Sequence, residues 1–255
     1  MKSKNLWLGL IVVVLVVSTL ACQVAYNVDS NPITISSRTV RGSGTLVTEE
    51  RSVSSFNSLE LSSVGRLVIE LGDQESLRVE AEENLLEYIE TEVRGRTLQI
   101  GSRRGVSLIP TESINFYLTV VSLDSIMISG LGDVLAPDLQ AETFSIDISG
   151  GGNLNLDSLD ADRLRVGISG LGSLDIDGGQ VRDQDIEISG AGDYNAGQLE
   201  SRTAEVDISG LGSATLRVSD HLEANISGSG SVSYYGNPRV DENISGIGRV
   251  EQIDQ

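Results

Sequence analysis

The length, composition and charge of the chain argue against several classes of protein. Its 255 residues include 37 Asp and Glu against 18 Lys and Arg, a net charge of −19, and 28 of them are glycine. A nucleic-acid partner is not expected, because binding phosphate needs a basic face that displaces counterions. The single histidine, His221, and the single cysteine, Cys22, are too few for a zinc cluster, and no cofactor is expected.

The first 22 residues have the features of an export signal. Lys2 and Lys4 precede the uncharged apolar segment 6–21, and Cys22 follows it directly. The four residues ending at Cys22 (TLAC) resemble the lipobox of bacterial lipoproteins, whose cysteine receives a lipid, although a leucine is usual where Thr19 stands. An uncleaved membrane anchor is the alternative, since the segment is just short of the roughly twenty residues that span a bilayer. Both alternatives predict an extracytoplasmic protein held at a membrane of the cell envelope.

The residues that follow predict a linker. Residues 23–50 are rich in Ser, Thr, Asn and Gly and have no sustained apolar period. This composition predicts a flexible tether that ends at a head domain spanning residues 51–255. An edge strand near Ile33 and Ile35 is the alternative at this boundary.

One internal repeat dominates the head domain. The pattern Ile-Ser-Gly-x-Gly occurs seven times between residues 126 and 250, and successive copies begin 20, 20, 20, 20, 18 and 18 residues apart. A fainter relative at 61–67 lacks the first glycine and predicts an earlier, atypical coil. The paired glycines, to which we assign a structural role in the turns, are Gly130, Gly132, Gly150, Gly152, Gly170, Gly172, Gly190, Gly192, Gly210, Gly212, Gly228, Gly230, Gly246 and Gly248.

Within each repeat, apolar and polar residues alternate as they do in a half-buried β-strand. In the second copy, Ile146, Ile148 and Leu154 share one parity with Gly150 and Gly152. Glycine suits these positions because it has no Cβ and readily adopts positive φ. A twenty-residue unit is too short for a propeller blade, but it can form three short sides of a coil that stacks on its neighbours. The sequence therefore predicts an all-β fold, a single-stranded right-handed parallel β-helix of about ten coils of about 18–20 residues.

The segment before the repeats fits a regular solenoid less well. Its only stretch with helical spacing is 82–89. This stretch predicts either a helical turn at a corner of an early coil or part of a cap over the open end of the stack, where a bare coil would expose unpaired strand edges.

Several segments resemble a bacterial family, the auto-transporter adhesin head domain called the GIN domain. The resemblance is carried by the opening 51–61 (RSVSSFNSLEL), by 77–86 (LRVEAEENLL), by the repeats and by the closing 234–248, and it covers about residues 51–250. It implies a right-handed β-helix that is exported and often lipid-anchored. The word adhesin is an inference from shape, so the function has to be argued from the site.

Aromatic and acidic side chains on the outside of the predicted coils are candidates for ligand contact. Tyr234 and Tyr235 are adjacent, so one should face inward and the other outward, where it could stack on a sugar ring together with Tyr194. An acidic stripe before the Ile-Ser-Gly turns could bind cations or a basic partner, although a solvated face that discourages edge-to-edge association is the favoured interpretation. The stripe consists of Asp147, Glu187 and Asp207, interrupted by Gly167.

Metal binding and catalysis have weaker signals. Only Asp133 and Asp193 among the seven residues after the turns are carboxylates, and the period is about twenty rather than nine, so no calcium ladder is expected. Asp183 and Asp185 beside Arg182, or Asp160 and Asp162 beside Arg163, are candidates for a polysaccharide-active enzyme. Against catalysis, no long loop interrupts the repeats, and His221 lies in a predicted exposed turn.

The sequence thus predicts a non-catalytic, lipid-anchored envelope protein. Its β-helix head would bind glycans or envelope proteins, or serve a structural role. The alternatives are a polysaccharide-active enzyme on the same fold and a scaffold that self-associates end to end through the β-helix ends. The second alternative arises because the motif continues to Gly248, which leaves little chain for a C-terminal cap.

Overall fold

The computed structural model describes residues 38–254. The export signal with Cys22 and the first part of the predicted tether lie outside these residues. Residues 37–255 form a compact unit with its own core. Within the described part, no helix is long and apolar enough to cross a bilayer.

The described chain is built from short strands and one helical turn. In chain order the elements are β1 (Arg38–Arg41), β2 (Leu46–Arg51), β3 (Ser58–Leu61), β4 (Arg66–Leu71), β5 (Ser76–Glu82), α1 (Glu83–Leu86), β6 (Ile89–Arg94), β7 (Thr97–Ser102), β8 (Val106–Ile109), β9 (Asn115–Val120), β10 (Ser125–Ile128), β11 (Asp133–Ile148), β12 (Leu154–Ile168), β13 (Leu174–Ile176), β14 (Gly179–Ile188), β15 (Asp193–Ile208), β16 (Ser213–Ile226), β17 (Ser231–Tyr235), β18 (Arg239–Ile244) and β19 (Arg249–Gln252).

The repeats form the coils of a parallel β-solenoid. β11 pairs with β12 from Val134↔Leu154 to Ile148↔Ile168, a constant register of 20 residues. The pairing skips Pro137 and Glu142, which mark two corners, and the Ser-Gly-x-Gly turn is the third. Each coil therefore has three sides, and the predicted β-helix is confirmed.

The core is made of columns of inward side chains, one from each coil. Val134, Leu154, Leu174, Tyr194 and Ala214 follow one another in register on one side of the solenoid. All five are at most 1% exposed. Burying a large side chain contributes about 1.5 to 3 kcal/mol, so the stack supplies the stability that a single coil lacks.

The order of the first two coils in the stack is the reverse of their order in the chain. β3 and β4 form the second coil, because their upper edges pair with β10 and with the start of β11. β7 and β9 pair with the lower edges of the same two strands, so they form the first coil although they come later in the chain. The atypical coil predicted at 61–67 is thus present, with Leu61 opposite Ile128 and Arg66 opposite Asp133.

A cap closes the N-terminal end of the solenoid. β5 runs antiparallel to β9, β2 continues antiparallel to β5, and β6 runs antiparallel to β7. The helical turn α1 connects β5 to β6 and buries Leu85. The helical stretch predicted at 82–89 therefore belongs to a cap. The regular part of the stack has about six turns, and the first two coils lie beneath it, so the stack is shorter than the ten coils expected because part of residues 38–120 forms this cap.

Part of the predicted tether belongs to the cap. β1 pairs in parallel with β8, and β2 adds the outer antiparallel strand, so residues 38–50 are not a flexible linker. Their side chains are mostly exposed. They are held by backbone pairing rather than by an apolar face, which is why the sequence shows no apolar period there.

The C-terminal end has no comparable cap in the described residues. β18 pairs only with β16, and β19 pairs only with β17. Glu242 stands opposite Ala224, in an inward column of the core, and is exposed at this end. An inward charge at an unpaired edge opposes the addition of a further strand, because the charge would have to be buried.

Candidate functional site

The Ser-Gly-x-Gly turns stack so closely that a side chain does not fit at the glycines. A Cβ on Gly190 would lie 2.1 Å from the carbonyl oxygen of Gly170, and one on Gly192 would lie 2.0 Å from that of Gly172. The residue between the two glycines joins the coils, as Ala191 N–H donates to the Gly170 carbonyl at 3.0 Å. None of the paired turn glycines has positive φ, so that part of the expectation is wrong. Glycine is needed because the backbones approach each other closely.

The carboxylates after the turns serve the neighbouring coil. Asp133 Oδ1 accepts hydrogen bonds from the backbone N–H and the side-chain amide of Asn153, at 3.3 and 2.9 Å. Asp193 Oδ1 accepts from the N–H and the hydroxyl of Ser213, at 3.1 and 2.6 Å. The two aspartates therefore tie successive coils together. Residues 38–254 contain no group of three or more His, Cys, Asp or Glu suited to hold a metal ion.

The acidic stripe is an in-register column on one face of the solenoid. The pairing of β11, β12, β14 and β15 places Asp147, Gly167, Glu187 and Asp207 side by side. A second acidic column runs beside it and consists of Asp185, Glu205 and Glu223. Burial, together with the negative charges of Asp207, Glu223 and Asp185, raises the pKa of Glu205. This face is a patch of like charges.

The predicted carboxylate pairs are held in structural networks. Asp183 accepts hydrogen bonds from the Thr203 hydroxyl at 2.8 Å and from Arg182 Nε at 3.0 Å, and Arg163 lies 3.6 Å away. The Thr203 hydrogen bond and the arginines lower the pKa of Asp183, so it stays ionised and is poorly suited to act as a general acid. Asp162 lies 3.9 Å from Arg182 in the same network.

His221 lies within strand β16 rather than in a turn. Its side chain is 39% exposed, and its Nε2 lies 3.8 Å from Asp241.

The three tyrosines proposed as ligand contacts have different environments. Tyr194 is fully buried and donates its hydroxyl to Gln184 Oε1 at 2.6 Å, so it cannot contact a ligand and that prediction is wrong. Burial raises the pKa of Tyr194. Tyr234 packs against the core, whereas Tyr235 lies outside it with the Arg217 guanidinium 4.8 Å from its ring centroid.

A groove opens where the coil length falls from 20 to 18 residues. The pairing of β15 with β16 shifts between Ala196 and Glu200, and again between Ser201 and Thr203. The groove left by these shifts has a volume of about 480 Å³. Its lining consists of Gln180, Val181, Glu200, Ser201, Arg202, Arg217, Val218, Ser219, Gly236 and Asn237. The change in repeat spacing is visible in the sequence, but the spacing alone does not indicate that a groove opens on the surface.

Two arginines border this groove, and Glu200 is its acidic lining residue. Arg217 Nε donates to the Gly197 carbonyl at 3.0 Å, and its guanidinium stacks on Tyr235. Arg202 Nε donates to Asp220 at 3.0 Å. The stacking and the carbonyl contact hold Arg217 in one orientation, with donors left for a ligand.

A family model described as "Putative auto-transporter adhesin, head GIN domain" matches residues 55–238. The chain belongs to this family. The resemblance found in the sequence is thereby confirmed for most of the head. No protein with a curated description matches the sequence.

Solved structures share the fold of this GIN domain. A putative adhesin from Bacteroides fragilis is 24% identical, covers 84% of this chain and 100% of its own, and superimposes with a TM-score of 0.79. A putative adhesin from Parabacteroides distasonis is 25% identical with a TM-score of 0.65, and covers 84% of this chain and all of its own. A structure from the same organism described as a putative lipid binding protein is 22% identical with a TM-score of 0.69, over 85% of this chain and all of its own.

Membership of the GIN-domain family fits a binding or structural role at the cell surface or outside the cytoplasm. The family and its neighbours are named as adhesins, which suggests a protein that is not an enzyme.

Proposed function

We propose that this GIN domain is the head of a lipid-anchored envelope protein and that it binds a glycan without chemical conversion. The observation that carries the proposal is the groove at the change of coil length. It forms by a register shift within an unbroken stack, so it is rigid and needs no loop to order on binding.

The lining of the groove suits a sugar chain. Gln180, Ser219 and Asn237 supply amide and hydroxyl groups that can bond the hydroxyls of a sugar. Val181 and Val218 are each only 1% exposed, so they belong to the core beneath the groove and fix its shape. A few polar groups held in fixed positions are typical of small-ligand sites.

The charge of the groove favours a glycan that carries carboxylates. Arg202 and Arg217 present guanidinium groups, which bind carboxylates through paired N–H donors. The chain as a whole is acidic, with a net charge of −19, and this charge repels an anionic polymer. At the groove the two arginines would offset this repulsion and that of Glu200, which also lines it.

The envelope location rests on the sequence. The basic, apolar and TLAC segments before residue 23 support export and lipid attachment at Cys22. The lipid would hold the head at the membrane surface with the groove exposed to polymers of the envelope. The scaffold alternative has less support, because Glu242 opposes end-to-end stacking.

The test is to incubate the head, residues 38–255, with a panel of acidic and neutral polysaccharides and to measure binding and product release in the same samples. We expect binding of an acidic glycan without release of products. The double variant Arg202→Gln and Asn237→Ala should weaken this binding at least about tenfold, since each lost polar contact costs about 1 kcal/mol or more. Arg165→Gln, on another face, is the matched control and should leave binding unchanged.

Product release would contradict the proposal and direct attention to the carboxylate pairs. Binding that is lost in the Arg165 variant but kept in the groove variant would place the ligand elsewhere.

A further inference from the structure

One corner of the solenoid carries exposed apolar side chains along its whole length. The residue between the two turn glycines points outward, and at Leu131, Leu171, Leu211 and Ile247 it is 69, 77, 70 and 88% exposed. In the coils between them this position holds a small residue. We call this column the apolar corner, and it consists of Leu131, Gly151, Leu171, Ala191, Leu211, Ser229 and Ile247.

The apolar corner is free of charge on a strongly acidic chain. The seven Ser-Gly-x-Gly segments contain no charged residue. The column before them carries Asp147, Glu187 and Asp207, and the column after them carries Asp133 and Asp193. Two copies of the protein would repel each other through the acidic face, but they can approach along this corner.

The alternation of large and small residues gives the corner a regular relief. Large side chains stand on every second coil, about 9.6 Å apart, with a small residue between them. Leu131 leans toward its small neighbour, since its Cδ2 lies 3.1 Å from where a Cβ of Gly151 would be, yet it stays 69% exposed. Interdigitation with an identical row would place side chains about 4.8 Å apart, close to the roughly 4 to 4.5 Å at which apolar groups touch.

We propose that the apolar corner is the interface of a two-fold symmetric dimer of this chain. Only another solenoid of the same pitch offers knobs at the same spacing along the whole row. A two-fold axis between the Leu171 and Ala191 coils makes six coils of the row self-complementary, because Leu131, Leu171 and Leu211 then each meet a small residue, while Ile247 lies outside the paired coils. The pairs between one copy and the other are Leu131 with Ser229, Gly151 with Leu211 and Leu171 with Ala191, each occurring twice.

The dimer is weak because the corner is narrow. Six paired coils form a strip about 30 Å long and about 10 Å wide, so the two copies bury about 600 Å² in total. Stable interfaces bury at least about 1,200 Å², and we expect a dissociation constant on the order of 100 μM. Attachment to one membrane would raise the local concentration and favour the dimer. The interface does not involve the groove, so its existence is independent of the proposed glycan binding.

The first test is sedimentation equilibrium of the head, residues 38–255, from about 10 μM to about 1 mM. The wild type should show a monomer–dimer equilibrium. Leu171→Asp should weaken it at least about tenfold, whereas Val121→Asp, at a position 56% exposed away from the corner, should not change it. A monomer at all concentrations would overturn the proposal.

A second variant distinguishes interdigitation from non-specific association of apolar surfaces. Ala191→Leu adds apolar surface but fills the hole that Leu171 of the other copy would occupy, and the same turn position already accepts leucine in other coils. It should therefore weaken the dimer at least about tenfold. Stronger association of this variant, or binding of the wild type to lipid vesicles in place of dimerisation, would show that the corner contacts apolar surfaces without a specific partner and would refute the proposal.

Disulfide cross-linking tests the register. A mixture of Leu131→Cys and Ser229→Cys heads, which lack Cys22, should form a cross-linked heterodimer on oxidation. Neither variant alone should cross-link, because identical positions are five coils, about 24 Å, apart across the axis. Cross-linking of either variant with itself would rule out this arrangement.

Discussion

The second repeat contains three consecutive glycines that test the role of the turns within one segment. Gly150 and Gly152 are the paired glycines, and Gly151 is the outward residue between them. We expect alanine to be strongly destabilising at the paired positions and nearly neutral at Gly151. The three variants differ from the wild type by the same single methyl group.

The magnitude follows from the distances between coils. A Cβ on Gly150 would lie 2.0 Å from the Gly130 carbonyl oxygen, more than 1 Å closer than a normal contact. The turns would have to separate, which breaks the 3.1 Å hydrogen bond from Gly151 N–H to Gly130 and strains those to Ile128. Two or three weakened hydrogen bonds and the strain amount to about 2 to 4 kcal/mol.

The control has a different environment. A Cβ on Gly151 would meet only Leu131 Cδ2, at 3.1 Å, and that exposed side chain can move away. The φ of Gly151 is not positive, so alanine is compatible with its backbone. The cost should be below about 0.5 kcal/mol, offset in part by the lower entropy of the unfolded chain.

Thermal and urea unfolding of the head measure these differences. At about 2 to 4 °C per kcal/mol for a chain of this size, Gly150→Ala and Gly152→Ala should lower Tm by roughly 4 to 16 °C, and Gly151→Ala by no more than about 2 °C. Equal effects at all three positions would show that glycine is required for chain flexibility, and our reasoning from close approach would be refuted.

Two further predictions concern the ends of the solenoid. Glu82 is fully buried in the cap, and burial by itself would raise its pKa. The carboxylate accepts hydrogen bonds from the Thr111 hydroxyl and from the backbone N–H groups of Thr111, Gly44 and Glu112. These hydrogen bonds outweigh the burial and lower the pKa of Glu82 to about 2, from an ordinary value of 4.5. The carboxylate therefore stabilises the fold above about pH 4.5 and loses that effect as the pH falls toward 2. Glu82→Gln should be less stable than the wild type at pH 7, and the difference in stability should become smaller at pH 3. A difference in urea midpoints that stays the same at both pH values would contradict this assignment. At the other end, Glu242→Val removes the inward charge and should promote association that increases with concentration, measured by light scattering. Asp241 faces outward in the neighbouring position, so the control Asp241→Val should not have this effect. A Glu242→Val variant that stays as monomeric as the wild type would mean that the open end is protected in another way.

The repeats were predictable because their information is local. Each coil has the same alternation, and the pairing partner is always one repeat away, so spacing alone gives the register. The same rule would have placed Tyr194 correctly. It follows outward Asp193 and occupies the column of Leu154 and Leu174, so its parity is inward. The error came from treating the residues near the turn as surface.

The cap was less predictable because its contacts are distant in sequence. Ser58 pairs with Ser125, and nothing in the intervening residues indicates that two coils are formed in reverse order. Glu82 likewise gives no sequence signal, because its hydrogen-bond partners come from two separate loops. The groove was partly predictable. The sequence shows that the later coils are two residues shorter, but the position of the groove on the surface depends on where the strands shift.

The reversed order of the first two coils bears on how the molecule is assembled. Until residues 125–128 arrive, the second coil keeps one free edge, while its other edge is already occupied by the first coil and the cap beyond it. We expect this N-terminal part to be slow to close, because its contacts are distant in sequence, and under the proposed export it is also the part of the head that leaves the channel first. Every later coil pairs with the strand edge of a coil that is already formed, about 20 residues earlier in the chain. The number of coils can then change by whole units during evolution without disturbing the nucleus from which they grow.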